Sequence, residues 1–454
     1  MRRRILIKKA DWDEISRAFD AEERETAAYA LIGVSRTANT IDYLVREVFF
    51  LTEQDYHDRN RVHLLIAPAF INQMAGRCER QGLGLLAMHS HPMQSRNVQF
   101  SMSDNWGEAR ELQVFHHLGD GKWPLVSLVR GTAAVKAREW DFRGAQGKST
   151  PVDELVIVGD QLTRVPMGHD DRLRTRDFAV HDRQVRALGA DGQHELENSA
   201  VAIIGAGGTG SACAEMLARL GVGRIILMDD DILEESNLSR VYGSTPSDVG
   251  KPKVQILKKW LSKVSPTTKI EAHQVNLVGH TALLKEADVV LGCTDTETSR
   301  ALANQFACQY MRPFIDMGNR IDAQNGRIQA ASARMTFVVP DGPCMECFGN
   351  INHATVQTEN LSPAEYKRLR KEGYVAGLDE KAPSVISLNT FVASLAITKL
   401  LDVLTGAGGL PHAKYTYSYL EGDLRAARVR RRDKCICRFY EAYGDMRQLE
   451  TRAT

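Results

Sequence analysis

The stretch that decides the fold is VAIIGAGGTGSACAEMLARLGVGRIILMDDD, residues 201–231. An apolar run precedes a glycine-rich turn, a segment with apolar residues at helical spacing follows it, and a second apolar run ends at three aspartates. This order predicts a strand, a helix and a second strand parallel to the first. The run ADVVLGCTD, residues 287–295, repeats the strand pattern. From residue 198 onward the sequence therefore predicts an α/β domain whose mostly parallel sheet is covered by helices.

The glycines of this turn have the spacing of a nucleotide-binding fingerprint. Gly205, Gly207 and Gly210 follow the predicted strand and open the predicted helix, and Asp229 comes nineteen residues after the last of them. Such glycines allow close approach of the backbone to phosphate, the helix N-terminus favours negative charge, and the acidic residue holds ribose hydroxyls. On this motif alone, an NAD-dependent dehydrogenase is the default interpretation.

Charged residues further along the chain favour a triphosphate instead. The segment Ser236–Arg240 reads SNLSR, and Lys253 follows in GKPK. An arginine and a lysine can neutralise the phosphates of a triphosphate, which hydride transfer does not require. Asp295 ends the next predicted strand, at the edge of the sheet where a carboxylate is suited to Mg²⁺. Arg183, ahead of the first strand, is another cation free to reach a phosphate.

Together these ordered motifs resemble the ThiF/MoeB superfamily, the Rossmann-like adenylating fold of ubiquitin-activating enzymes, over about residues 180–437. The resemblance implies that ATP adenylates the C-terminal glycine of a ubiquitin-like protein, with Mg²⁺ as cofactor and a homodimer as the assembly. It implies catalytic roles for Arg240, Lys253, Asp295 and Arg183, the last reaching the site of the second subunit; Arg300 matches the arginine after the aspartate motif. The residues it implies for binding ATP and Mg²⁺ are Gly205, Gly207, Gly208, Gly210, Asp229, Ser236, Asn237, Arg240, Lys253 and Asp295.

The first 165 residues read as short apolar runs with one or two helices, which predicts an α+β domain. Within it, His89-Ser90-His91-Pro92 follows the apolar run LGLLAM, and Ser101-Met102-Ser103-Asp104 opens a predicted helix. Side chains two apart on a strand point to the same face. Two imidazoles and a carboxylate form the three-ligand set of a catalytic zinc, which also needs a carboxylate base. This pattern predicts a zinc hydrolase site.

The order of a glutamate, His-x-His-Pro and Ser-x-x-Asp resembles the JAB/MPN (JAMM) zinc isopeptidases over about 160 residues. The resemblance implies that His89, His91 and Asp104 hold zinc, that Glu25 activates water and that Ser101 stabilises the oxyanion.

The base in this pattern has alternatives. Glu25 lies one residue further from its glycine than is usual in that family, so Glu23 and Glu22 remain open as the base. The loop from His91 to Asp104 is also a couple of residues longer than the commonest form.

The eight cysteines divide into two groups. Cys344 and Cys347 form one pair, and Cys435 and Cys437 form a second pair one residue short of the Cys-x-x-Cys spacing that adenylating relatives carry. Four thiolates in a reducing compartment predict a structural zinc with four cysteine ligands. The others are predicted to be core residues: Cys78, Cys213, Cys293 and Cys308.

The segment 349–382 resembles the crossover loop of the adenylating enzymes but contains no cysteine. A thioester on this chain is therefore not expected. The acyl group can pass to a cysteine of a conjugating enzyme, to a sulfur donor, or to a hydroxyl such as that of Ser384 or a loop threonine, and the sequence leaves these open.

The domain plan that follows is a fusion. It comprises the metallopeptidase-like domain (1–165), a linker with the first helix of the adenylating domain (166–197), the adenylating domain with its crossover loop (198–440), and a tail (441–454).

Composition narrows the classes of partner. With 58 Lys and Arg against 57 Asp and Glu in 454 residues, the net charge of +1 does not demand nucleic acid or an anionic membrane. The basic start lacks the apolar run of a secretory signal, so a cytoplasmic location is expected. Residues 384–404 are apolar but contain polar and charged side chains, which predicts a buried helix rather than a membrane span.

The sequence thus predicts a bifunctional bacterial enzyme that adenylates a ubiquitin-like protein and cleaves its peptide or isopeptide bonds. A conjugation or sulfur-carrier pathway is expected, with phage defence as one setting. The alternatives are adenylation of an RNA or small-molecule carboxylate with a vestigial first domain, and a non-catalytic scaffold that uses both folds for binding.

Overall fold

Two β-sheets, one from each half of the chain, organise the residues that the computed structural model describes, which are 1–144, 147–167, 179–372 and 383–449. The strands of the first half are β1 (Arg2–Lys8), β2 (Ala27–Arg36), β3 (Thr40–Phe50), β4 (Tyr56–Arg59), β5 (Leu64–Ile66), β6 (Gly84–Ser90), β7 (Leu125–Arg130), β8 (Val135–Asp141), β9 (Lys148–Pro151), β10 (Glu154–Val158) and β11 (Leu162–Pro166). Its helices are α1 (Lys9–Asp20), α2 (Pro68–Gln81) and α3 (Met102–Leu118). β4 and β5 form a hairpin, and the other nine strands form one sheet in the order β11-β10-β1-β3-β2-β6-β7-β8-β9.

The second half forms an eight-stranded sheet. Its strands are β12 (Ala200–Ile204), β13 (Arg224–Met228), β14 (Lys269–His273), β15 (Val289–Gly292), β16 (Phe314–Gln324), β17 (Arg327–Val338), β18 (Lys414–Ser418) and β19 (Asp423–Ala427). Its helices are α4 (Asp182–Glu197), α5 (Gly208–Arg219), α6 (Lys253–Val264), α7 (Glu297–Gln309), α8 (His353–Glu359), α9 (Pro363–Lys371), α10 (Ile386–Thr405) and α11 (Cys437–Tyr440). The strand order is β14-β13-β12-β15-β16-β17-β18-β19.

The strand order of the second sheet locates a binding crevice. β14, β13, β12, β15 and β16 pair in parallel, whereas β16 to β19 pair in antiparallel fashion. The chain runs outward in opposite directions from β12 and β15, which is the point in an open α/β sheet where ligands bind at the carboxyl ends of strands. The predicted Rossmann-like sheet is confirmed, and the turn after β12 lies at this point.

Helix α10 is the central helix of the second domain. In the described part of the chain it is the one helix long and apolar enough to cross a membrane by length and composition, and more than half of its most apolar window is buried. It packs on α5, α4, β16 and β17. Its C-terminus is closed by Gly406, whose φ of 64° suits a residue without a side chain. The helix therefore has the burial expected of a core element.

A buried ion network joins the two sheets. Asp42 of β3 pairs with Arg4 of β1 and with Arg312, which precedes β16. Arg4 also pairs with Asp288, ahead of β15, at 3.0 Å, and Arg164 of β11 pairs with Asp288 at 2.9 Å. Because these contacts cross between the halves of the chain, they fix one sheet against the other.

The predicted crossover loop is partly helical. α8 and α9 fall within residues 349–382, where the sequence interpretation had only a polar loop; residues 373–382 lie outside the described residues. Asn352 caps α8, and Ser362 with Glu365 forms a capping box on α9. Polar helices stabilised by their caps carry little apolar periodicity, which is why the pattern did not predict them. Residues 168–178 of the predicted linker also lie outside the described residues.

The predicted tail packs on the first domain over residues 441–449, its described part. Gly444 forms a bridge with Val34 of β2, and Asp445 N donates to the Val34 carbonyl oxygen at 2.6 Å. A side chain on Gly33 would collide with the carbonyl oxygens of Ala442 and Tyr443. The C-terminal segment is thus an interdomain strap, which a local pattern could not reveal.

Candidate functional site

The glycine-rich turn connects β12 to the N-terminus of α5. Gly205 has a φ of 92°, and a Cβ there would lie 2.6 Å from the Cys293 carbonyl oxygen. A Cβ on Gly210 would collide with the Gly205 carbonyl oxygen, and Gly207 is the N-cap of α5. The turn therefore packs backbone on backbone and presents the first amides of α5, the arrangement that binds phosphate.

A carboxylate fixes the other side of this turn. Asp229, directly after β13, accepts a hydrogen bond from Ala206 N at 2.6 Å and one from Asp231 N at 2.8 Å. Burial raises the pKa of Asp229 above its usual value, although Lys253 and the two amides oppose that shift. A carboxylate held in this way is placed to accept hydrogen bonds from ribose hydroxyls.

Two cations flank the glycine turn and the aspartates after β13. The Arg240 side chain packs over Gly208, with Cδ 3.3 Å from the position of a Cβ, and its Nη1 donates to the Ser236 carbonyl oxygen at 2.7 Å. Lys253, the first residue of α6, is 8% exposed and donates to Asp231 Oδ2 at 2.6 Å. The structure thus places an arginine beside the first residue of α5 and a lysine beside the aspartates that follow β13.

The remaining predicted residues of this site differ in their surroundings. Asn237 is buried and its Oδ1 accepts from Glu234 N at 3.2 Å, which shapes the turn before Arg240. Asp295 is exposed between β15 and α7, two residues after the Cys293 carbonyl that contacts the glycine turn. Arg300, in contrast, is buried against Asp316 at 2.9 Å and donates to the Thr294 carbonyl oxygen, so it supports the loop that carries Asp295.

Arg183 on α4 is exposed, and the structure records no hydrogen bond or ion pair between it and a described residue of this chain. Among the residues that the structure describes, no contact brings Arg183 to the glycine turn.

The first sheet brings a second constellation together. His89 Nε2 and His91 Nε2 lie 3.1 Å apart, and Asp104 Oδ1 and Oδ2 lie 3.5 Å and 3.3 Å from them respectively. Three ligands at the roughly 2.0–2.1 Å distances of a tetrahedral zinc are separated by roughly 3.3 Å. The separations between the His89, His91 and Asp104 atoms match those between the ligands of such an ion.

Local structure explains this convergence. His89 lies near the end of β6 and opposes Ala27 of β2, two residues after Glu25. Asp104 is held at the start of α3 by a capping box, in which Ser101 Oγ accepts from Asp104 N at 3.1 Å and Asp104 Oδ2 accepts from Ser101 N at 2.5 Å. The predicted strand end and helix start are both confirmed.

Electrostatics distinguish the carboxylates of this site. Burial alone would raise the pKa of Asp104, but hydrogen bonds from His89 and His91 outweigh it and hold that pKa below the usual value. Burial raises the pKa of Glu25, whose Oε1 lies 3.7 Å from His91 Nε2, although the histidines oppose this. The ionised carboxylate of Asp104 suits a metal ligand. The raised proton affinity of Glu25 suits a general base.

The geometry also separates Glu25 from the two alternative bases. Glu25 is 5% exposed, whereas Glu23 is exposed and pairs with Arg61, and Glu22 pairs with Arg24 at 3.3 Å. Of the three, the structure brings Glu25 to the histidines.

Two further acidic residues of α3 lie behind His89 and were missed from the sequence. Glu108 Oε1 is 3.9 Å from His89 Nδ1, and Glu111 accepts a hydrogen bond from Tyr29 Oη at 2.7 Å. Burial raises the pKa of Glu111 to about 7. Their spacing of four and seven residues from Asp104 places all three on one helix face, which was the available signal.

The four paired cysteines converge as predicted. Their Sγ atoms all lie within 4.8 Å of one another, with Cys344 3.9 Å from Cys347 and 3.5 Å from Cys435. Tetrahedral zinc with Zn–S bonds of about 2.3 Å separates its sulfurs by roughly 3.8 Å. The short Cys435-x-Cys437 spacing fits because Cys437 begins α11 and turns back to the cluster.

The four other cysteines were predicted to be core residues. Cys78, Cys213 and Cys308 are buried, and Cys308 packs in the same apolar cluster as Cys344 and Cys437. Cys293 is only half-buried, because it follows β15 at the carboxyl edge of the sheet.

The sequence model of the ThiF family matches residues 181–438, more than half of the chain. The chain is 30% identical over 254 residues to the sulfur carrier protein adenylyltransferase of Thermus thermophilus, covering 55% of this chain and 86% of that protein. It is 37% identical over 147 residues to the sulfur carrier protein ThiS adenylyltransferase of Escherichia coli, covering 32% of this chain and 59% of that protein.

The SAMP-activating enzyme E1 of Haloferax volcanii is 31% identical over 162 residues, covering 35% of this chain and 57% of that protein. The chain thus spans less than two thirds of the length of the Escherichia coli and Haloferax volcanii relatives.

Proposed function

The chain belongs to the ThiF family, and on that premise we propose that it adenylates the C-terminal glycine of a ubiquitin-like or sulfur-carrier protein with MgATP. The observation that carries this proposal is the N-terminus of α5, where Arg240 packs over Gly208 and Lys253 is held by Asp231 nearby. Relatives named for adenylation of carrier proteins support the substrate class.

In this reaction a carboxylate oxygen of the carrier attacks the α-phosphorus of ATP. The bond from that phosphorus to the bridging oxygen breaks, and pyrophosphate leaves with its electron pair, so an acyl adenylate and pyrophosphate are formed. Arg240 and Lys253 neutralise phosphate charge, and the α5 amides orient the α-phosphate. Asp295 would hold magnesium, which supplies further charge neutralisation. No general base is required, because the attacking carboxylate is already ionised.

The exposed position of Arg183 supports a homodimer in which each subunit lends this arginine to the other. Mixing Arg183→Ala and Asp295→Ala proteins tests this, since a mixed dimer has one site with both residues intact. Activity restored on mixing is expected, whereas two variants that stay inactive together would place Arg183 in its own subunit.

For the first domain we propose a zinc-dependent hydrolase. It cleaves the peptide or isopeptide bond that follows the C-terminal residue of a ubiquitin-like or sulfur-carrier protein. The convergence of His89, His91 and Asp104 beside Glu25 favours it. His89, His91 and Asp104 would hold zinc, which supplies Lewis-acid polarisation and water activation when bound. Glu25 takes the proton of the attacking water and gives it to the leaving amine, and the Ser101 hydroxyl, which accepts from Asp104 N, donates its hydrogen to the developing oxyanion.

The adenylation proposal is tested by incubating the protein with MgATP and candidate carriers and detecting the acyl adenylate by mass spectrometry. A carrier ending in Gly-Gly is expected to gain AMP with release of one pyrophosphate. AMP transfer to an RNA or small-molecule carboxylate, with none to any such carrier, would replace this proposal by that alternative.

The hydrolase proposal has its own test. A linear fusion of the carrier to a reporter is expected to be cut after the terminal glycine by the zinc-loaded protein, and not after chelation. A protein that binds zinc at the histidines and cuts neither linear nor isopeptide-linked carrier would contradict it. We place both activities in a cytoplasmic conjugation or sulfur-carrier pathway, with the four-cysteine zinc in a structural role and a conjugating enzyme or sulfur donor receiving the acyl group.

A further inference from the structure

A pair of asparagine amides lies directly beside the N-terminus of α5. Asn389, in the first turn of α10, is 4% exposed, and a Cβ on Gly208 would collide with its Nδ2. Asn319 of β16 donates from its Nδ2 to Asn389 Oδ1 at 2.8 Å. Asn389 therefore packs against the turn that presents amides to phosphate, and Asn319 lies behind it, although neither residue belongs to a nucleotide-binding motif.

The hydrogen bonds that the two asparagine side chains make with described residues leave one acceptor atom, Asn319 Oδ1, without a donor. Asn389 Nδ2 donates onward to Ser384 Oγ at 3.0 Å, so a single chain runs from Asn319 through Asn389 to Ser384. Asn319 Oδ1 is buried and accepts no hydrogen bond from any residue in the described ranges. A buried carbonyl oxygen without a donor is costly, and native proteins keep one mainly where a ligand or water completes it.

The side chain of Asn319 shares the sheet face that α5 and α10 cover. Met317, two residues earlier and on the same face, has its sulfur 3.7 Å from Cys213 of α5. Asp316 points to the opposite face, where it pairs with Arg300 and Arg334. Asn319 is therefore on the side where an acyl group must arrive to reach a phosphate at α5.

The surroundings of the pair suit an extended peptide. Ile321 of β16, Ala331 of β17 and Leu388 of α10 form a small buried apolar cluster, and Ile321 and Leu388 are sequence neighbours of Asn319 and Asn389. A peptide that ends at Gly208 and approaches along β16 would bring the backbone N–H of its last residue to Asn319. A buried acceptor beside apolar side chains matches a ligand that brings its own N–H, and does not match a carboxylate that has no adjacent amide.

We propose that Asn319 Oδ1 accepts the backbone N–H of the last residue of the acyl donor, and that Asn389 fixes the orientation of Asn319. This inference rests on the proposed adenylation and deepens it, because it makes a terminal peptide bond a required feature of the substrate. Asn319 is a positioning residue: it holds the carboxylate at the phosphate and takes no part in bond making.

The test is a double-mutant cycle with the full-length protein in ATP–pyrophosphate exchange. One probe is a ubiquitin-like carrier ending in Gly-Gly, and the other is the same carrier with glycolate in place of the last glycine, which exchanges the N–H for an ester oxygen of similar size. The enzymes are wild type, Asn319→Ala and the matched control Gln329→Ala, whose side chain is exposed on β17.

Asn319→Ala is expected to raise the KM for the Gly-Gly carrier by about tenfold, the factor of one hydrogen bond, and to leave the KM for ATP within about twofold. Wild type is expected to lose the same factor with the glycolate carrier, whereas Asn319→Ala is expected to treat the two carriers alike. Gln329→Ala is expected to behave as wild type with both carriers.

Equal KM values of wild type for the two carriers would overturn the inference while leaving adenylation in place. Independent, multiplicative effects of the mutation and of the glycolate would also overturn it, because they would show that the two groups do not meet. Absence of exchange by wild type with every carrier would refute the proposed adenylation itself and this inference with it.

Discussion

Replacing Asp42 by Asn tests how strongly the two sheets are joined. The Asp42 carboxylate is fully buried and accepts two hydrogen bonds from Arg4, at 2.7 Å and 2.9 Å, as well as one from Arg312. Arg312 is 2% exposed, so solvent cannot compensate its charge. The amide of Asn has nearly the same shape but carries no charge and turns one acceptor into a donor facing an arginine.

Removing one member of a buried ion pair costs about 3–5 kcal/mol, because the remaining charge stays buried and unpaired. Asp288 is retained beside Arg4, whereas Arg312 keeps only the carbonyl oxygens of Lys285 and Tyr310 in the described structure. For a domain of this size the cost lowers the melting temperature by about 6–20 °C. The exposed pair of Lys9 and Asp13 provides the control, since Asp13→Asn is expected to cost under about 0.5 kcal/mol.

The assay is thermal unfolding followed by far-UV circular dichroism and calorimetry, at several pH values. Arg4 and Arg312 hold the pKa of Asp42 below its usual value despite burial. A lowered folded pKa gives stability that is present above the unfolded pKa of about 4 and is lost as pH falls below it. The difference between wild type and Asp42→Asn should therefore be full at pH 7 and narrow below about pH 4. A shift in melting temperature at pH 7 no larger than that of Asp13→Asn would refute the claim that this ion network holds the two sheets together.

Three further predictions concern the sites. Glu25→Gln is expected to keep the zinc held by the histidines and to lower hydrolysis of a carrier fusion by about 10²–10⁴-fold, while Glu22→Gln stays near wild type; equal losses would contradict the assignment of the base. Cys437→Ser is expected to remove one zinc per chain by elemental analysis and to lower the melting temperature, and unchanged zinc content would count against the four-cysteine site. Gly208→Ala is expected to weaken ATP binding measured by calorimetry, because its Cβ collides with Asn389, and wild-type affinity would show that the turn can yield.

Features that depend on a local pattern could be predicted from the sequence. The turn after β12 and the helix start at Ser101 and Asp104 each need only a few neighbouring residues, so their spacing carried the information. The four cysteines were also recognisable, because thiolates are distinctive zinc ligands even across 91 positions.

Features that depend on distant contacts could not be predicted. Asp42 meets Arg312 across 270 positions, and Asn319 meets Asn389 across 70, with no motif around either residue. Whether such a side chain faces solvent or a partner is decided by the packing of whole sheets. The strap at Gly444 was missed for the same reason, since a short polar segment near a terminus gives no sign of what it packs against.

The base of the first domain shows where structure adds to a pattern. Spacing left Glu22, Glu23 and Glu25 open, because all three lie within four positions of one another. Burial and pairing separate them, since the first two pair with surface arginines and only Glu25 lies against His91.

The central claim, ATP-dependent activation of a carrier protein, is tested most directly by ATP–pyrophosphate exchange with wild type, Asp295→Ala and the exposed control Asp322→Ala. Carrier-dependent exchange by wild type and by Asp322→Ala is expected, with a loss of at least about 10²-fold in Asp295→Ala, because that variant lacks the proposed magnesium ligand. Exchange that needs no carrier, or that survives in Asp295→Ala at the wild-type rate, would contradict the account.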